Sequence, residues 1–96
     1  MKSFYRKRAI LLSEAYAKGM YKDFTEHCEY RGENFSWEKF PDMVANLAKV
    51  GLFTCFSDKE WYYLDQDQRE ELEKYCHNAT VRRVKKLIEL GGLNGN

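Results

Sequence analysis

Two short runs of β-forming residues constrain this chain more than any other feature: Leu52-Phe53-Thr54-Cys55-Phe56 and Trp61-Tyr62-Tyr63-Leu64. Between them lies Ser57-Asp58-Lys59-Glu60, a polar stretch of hairpin-loop length. With that loop, Phe56 opposes Trp61 and Thr54 opposes Tyr63 on one face. Cys55 then opposes Tyr62, and Phe53 opposes Leu64, on the other. A chain of 96 residues has room for one core, so such a hairpin must pack on helices drawn from the rest.

Those helices are legible from apolar spacing. Tyr5, Ala9, Leu12 and Tyr16 recur at i, i+4, i+7 and i+11, the stripe of a helix that Ser3 can cap. Gly19, after Lys18, is a helix end. A second helix is expected from Met20 to about Tyr30, and a turn over Arg31-Gly32-Glu33-Asn34. Residues 35–40 do not declare a conformation. Pro41 suits the first turn of a third helix, with Asp42 favouring its positive end. Met43, Val44, Leu47 and Val50 carry that helix to Gly51, which is expected to terminate it. After the hairpin, Asp67 and Glu70 resemble a capping box. The helix they start carries Leu72, Tyr75 and Cys76 inward, and Asn78 interrupts it. Thr80 then caps a last helix with the stripe Val81, Val84, Leu87 and Ile88, which Gly91-Gly92 ends. The expected fold is α+β and mostly helical, with three N-terminal helices, a two-stranded wing-like β-hairpin and one or two C-terminal helices. It forms a single compact domain over residues 1–92, with a flexible tail over 93–96.

The order helix-helix-helix-hairpin-helix resembles a winged helix-turn-helix domain. The residues that carry the likeness are Asp42-Met43-Val44-Ala45-Asn46-Leu47-Ala48-Lys49-Val50-Gly51-Leu52-Phe53 and the hairpin after them. Many such domains end the recognition helix in a leucine-rich turn and a glycine. The likeness covers residues 3–75. It implies double-stranded DNA as partner, a recognition helix in the major groove and a wing tip on the backbone. Asn46 and Lys49 would then face bases or phosphates, and Ser57 and Lys59 would sit at the wing tip.

Charge qualifies that expectation. The net charge of +1 hides a segregation into +5 over residues 1–22, −8 over 23–73 and +4 over 74–96. A banded surface of this kind can steer a charged partner. DNA affinity comes largely from neutralised phosphates. The recognition stretch offers Lys49 against Asp42, and the wing tip offers Lys59 against Asp58 and Glu60. The cationic contacts are therefore expected from the chain ends: Arg6, Lys7 and Arg8, with Arg82, Arg83, Lys85 and Lys86. A homodimer through the last helix would double them.

The acidic middle supports an alternative of another class. Phe35, Trp37, Glu38 and Trp61 would form an acidic, aromatic protein-binding surface. A small modulator or inhibitor of phage type, acting on a host macromolecular complex, would use such a surface; Tyr and Trp are enriched at binding hot spots.

Catalysis and metal binding find little support. The chain has no G-x-S-x-G, no Gly-rich phosphate loop and no H-E-x-x-H. Adjacent His27-Cys28 and Cys76-His77 point about 100° apart on a helix, which does not suit a shared zinc site with Cys55. The expectation is no enzyme, no cofactor and no metal. Three cysteines make a poor disulfide framework. The apolar run Ala9–Leu12 is shorter than a signal peptide needs, and no stretch approaches a membrane span. A cytoplasmic protein is expected.

Overall fold

A computed structural model describes the backbone of residues 1–31 and 37–91, and the side chains of residues 1–26 and 37–91. Among these residues there is no strand. The elements are α1 (Ser3–Arg31), α2 (Phe40–Gly51), a 3-10 turn (Leu52–Cys55), α3 (Asp58–Tyr63) and α4 (Gln66–Gly91). The fold is all-α, and the winged-helix hairpin does not exist.

The reason lies in the four polar residues read as a loop. Ser57 is a helix N-cap: its Oγ accepts from the Glu60 backbone N–H at 3.2 Å, and Glu60 Oε1 accepts from the Ser57 backbone N–H at 2.9 Å. This is a capping box, S-x-x-E, immediately before an aromatic run. It directs Trp61-Tyr62-Tyr63 into α3, where Trp61 and Leu64 turn inward three residues apart while Tyr62 and Tyr63 face solvent. Leu52 to Cys55 continue α2 as a tighter turn rather than starting a strand.

Three other sequence expectations change for related reasons. Gly19 does not end a helix. It lies inside α1, which runs 29 residues, or about 43 Å at 1.5 Å per residue. Asn78 and Thr80 neither interrupt nor cap; both lie inside α4. The capping residues of α4 are Asp65 and Gln68, not Asp67 and Glu70. The Gln68 N–H donates to Asp65 Oδ1 at 2.8 Å, and the Asp65 N–H donates to Gln68 Oε1 at 3.0 Å. Pro41 and Asp42 do occupy the first turn of α2. Gly51 ends α2 without a left-handed conformation, at φ −71°. Its use is space: a Cβ there would stand 2.6 Å from the Tyr16 hydroxyl oxygen. Arg31, expected to open a turn, is the last residue of α1; the rest of that turn and the tail over 93–96 lie outside the described residues.

Contacts along the helices give the topology. Arg6 meets Glu71, Ala9 meets Cys76 and Glu14 meets Arg83, so α1 and α4 run parallel, side by side. On α2, Ala48 shares a cluster with Tyr5 and Ala9, whereas Val44 shares one with Ala17; α2 is therefore antiparallel to both. One core cluster gathers Tyr5, Leu52, Phe56, Trp61, Leu64 and Leu72 at the end closed by α3. The other gathers Phe40, Val44, Val84 and Ile88, with Phe24 and Trp37 packed against it. Ser13, Ala45, Ala79 and Thr80 are fully buried between these clusters, and small side chains let the helices approach there. The Ser13 and Thr80 hydroxyls are satisfied within their own helices: Ser13 Oγ donates to the Ile10 carbonyl at 2.7 Å and Thr80 Oγ1 to the Cys76 carbonyl at 2.8 Å.

Candidate nucleic-acid interface

The parallel arrangement of α1 and α4 brings the two basic ends of the chain together. On the side away from α2, the two helices form a shallow groove. Near its start, a hollow of about 370 Å³ is lined by Arg6, Lys7, Ile10, Leu11 and Tyr75. Farther along, one of about 330 Å³ is lined by Glu14, Lys18, Arg83, Lys86 and Leu90, among others. Asn78 and Arg82 border a third hollow, which Tyr75 links to the first.

Two arginines in this groove are held by carboxylates. Arg6 Nη2 lies 2.8 Å from Glu71 Oε1, and Arg83 Nη2 lies 3.2 Å from Glu14 Oε1. Arg6 also lies over the Tyr75 ring, 5.7 Å from its centroid. These contacts fix both guanidinium groups and link the two helices. Lys7, Lys18, Arg82 and Lys86 are exposed and have no carboxylate partner among the described residues. The groove thus carries more cations than it neutralises, with exposed Leu11 and Leu90 among them.

The sequence-derived set divides on inspection. Arg6 and Lys7 line the first hollow, Arg83 and Lys86 the second, and Arg82 lies beside them on α4. Arg8 lines neither hollow. Its Nη1 donates to Glu60 Oε1 and Oε2 at 2.9 and 3.0 Å and to the Cys55 carbonyl at 3.3 Å. Its guanidinium also lies over the Phe4 and Phe56 rings, at 4.7 and 5.4 Å, so Arg8 fastens α3 to α1. The Ser57 backbone N–H, and then Arg8, hold the Glu60 carboxyl below the usual carboxylate range. Lys85 faces a different hollow, on the α2 side, with Trp37, Glu38 and Glu89. Asn46 and Lys49 are exposed on α2, and Lys59 on α3, all apart from the groove.

Lys18 is the groove residue that sequence reasoning misses. Lys7, Leu11, Glu14 and Lys18 stand at i, i+4, i+7 and i+11, one face of a single helix. Ending the helix at Gly19 conceals that continuity.

The aromatic surface of the alternative reading disperses. Trp61 is buried at 8% exposure, stacked on Phe56 at 6.0 Å and edge-on to Phe53 at 5.7 Å. Trp37 is half-buried between Tyr21 and Phe40, at 6.2 and 5.0 Å. Glu38 is exposed, and Phe35 lies outside the described residues. Val84 and Ile88, from the apolar stripe of the expected last helix, are core residues at 0% and 2% exposure.

No group of three or more metal-ligand side chains occurs among the described residues. Cys76 is buried, and burial pushes its thiol pKa up; the same cause acts on partly buried Cys55. The side chains of His27 and Cys28 lie outside the described residues. No described helix is long and apolar enough to cross a membrane. Comparison of the chain with protein-family models, curated proteins and solved structures finds no match.

Proposed function

We propose that this chain is a small, non-enzymatic, cytoplasmic module that binds duplex DNA through its phosphate backbone, using the groove between α1 and α4. One observation carries the reading: Lys7, Lys18 and Lys86 line the groove, Arg82 stands beside it on α4, and none of the four has a carboxylate partner among the described residues. Lys7 and Lys18 are eleven residues apart on one helix, about 16 Å along its axis. That span reaches several phosphates, since duplex DNA carries one charge per roughly 1.7 Å of axis. The ion-paired Arg6 and Arg83 add donors at fixed positions. With no wing among the described residues, the reading is of backbone binding, with little dependence on sequence.

The test is charge reversal. Arg82→Glu with Lys86→Glu should weaken binding on every duplex and reduce the salt slope by about 2. The pair Lys49→Glu with Lys59→Glu, outside the groove, should leave both nearly unchanged. Equal loss from both pairs would mean that net charge alone, and not the groove, is responsible.

A further inference from the structure

We propose that α2 is a homodimerisation surface, through which two copies associate weakly about a twofold axis. The face of α2 turned away from α4 is apolar where a solvated helix would be polar. Leu47 is 44% exposed and Val50 76%, half-buried Met43 begins the row, and Phe53 of the following 3-10 turn, 44% exposed, extends it. These residues stand at i, i+4, i+7 and i+10, a stripe about 15 Å long. It lies across the bundle from the basic groove, so its occupant need not be a polyanion.

Charge identifies the occupant as a second copy. Asp42 and Lys49 are exposed on one flank of the stripe, seven residues apart, at opposite ends of α2. Two antiparallel α2 helices place Asp42 of each against Lys49 of the other, so one patch complements itself twice, as a twofold interface requires. Antiparallel alignment also opposes the two helix dipoles favourably. Asn46, between Met43 and Val50, supplies a polar group that can fix the register. A face this short buries well under the roughly 1,200 Å² of a stable interface, so the dimer is concentration-dependent. Both basic grooves stay open on its outer sides.

Sedimentation equilibrium of the full chain decides the matter. The native protein should be monomeric near about 5 µM and approach twice the monomer mass near about 1 mM, as a small interface implies. Val50→Glu, at a solvent-exposed position, should keep the far-UV circular dichroism spectrum and remain monomeric throughout. Lys49→Glu should also abolish dimerisation, because it sets one carboxylate against another at both ends of the paired helices. Asp42→Lys combined with Lys49→Glu should restore it, although that exchange weakens both helix ends. A native protein monomeric at every concentration would overturn the proposal. So would a dimer indifferent to Val50→Glu, or a double exchange that restores nothing.

Discussion

Trp61→Ala should be among the most damaging single truncations in this protein, and the two tyrosines after it should be nearly silent. Trp61 is 8% exposed, against the rings of Phe53 and Phe56. A buried tryptophan removes about 150–250 Å² from water, or about 4–6 kcal/mol at about 25 cal/mol per Å². Measured truncations of this kind cost about 3–5 kcal/mol. The whole stability of a chain this long is about 5–14 kcal/mol, so Trp61→Ala should leave a marginal fold, with Tm lower by about 20 °C. Tyr62 and Tyr63 are 64% and 66% exposed, with Arg69 and Lys2 over their rings. Their alanine variants should each cost within about 1 kcal/mol. Urea unfolding followed by circular dichroism, with the slope checked for constancy, measures all three. The pattern separates a helix from a strand. In a strand, Tyr63 shares the Trp61 face and Tyr62 takes the other. Should Tyr63→Ala cost as much as Trp61→Ala while Tyr62→Ala costs little, residues 58–63 are not helical and the account of α3 is refuted.

Other outcomes follow from single contacts. Glu60 has a folded pKa lowered by the Ser57 N–H and Arg8, so its contribution to stability is complete above the usual value of about 4.3. That contribution disappears as pH falls through the folded pKa; Glu60→Gln should flatten the urea midpoint between about pH 5 and pH 3, and an unaltered slope would count against the contact. Gly51→Ala should destabilise the native protein, because the new Cβ meets the Tyr16 hydroxyl at 2.6 Å. In a Tyr16→Phe background it should cost less, and a double-mutant cycle with no coupling would contradict the packing. Cys76 is buried with a raised thiol pKa, so in the native state iodoacetamide should modify Cys55 well before Cys76; mass spectrometry of the two peptides reads the order.

Much of the helical content was legible because long apolar periodicities survive local interruptions. The stripe of α1, the proline and aspartate that open α2, and the inward Leu72 and Cys76 of α4 all reflect spacing that one sequence displays. Two of the errors share one cause. At Gly19 and Asn78, a local signal of low intrinsic energy was set against tertiary packing, and packing decided. A glycine in a helix costs only about 1 kcal/mol, little against the burial of Tyr16, Ala17 and their neighbours. The aromatic run at 61–64 suits a strand or a helix equally, and the S-x-x-E box ahead of it was the signal that discriminates. The basic residues at the two ends were visible as charge. Their union on one face was not, because it depends on α4 returning parallel to α1. Arg8 shows the converse: its charge matches that of its neighbours, yet its position on the helix turns it toward Glu60.

The α1–α4 groove is proposed as a phosphate-contacting surface. Its most direct test is the fluorescence anisotropy of a mixed-sequence DNA duplex titrated with the protein at several salt concentrations. If the four unpartnered bases each displace a counterion, log K should fall against log salt with a slope of about −3.6, steepening toward about −5.4 if Arg6 and Arg83 also engage phosphates. No binding at low salt, or affinity indifferent to salt, would contradict the account.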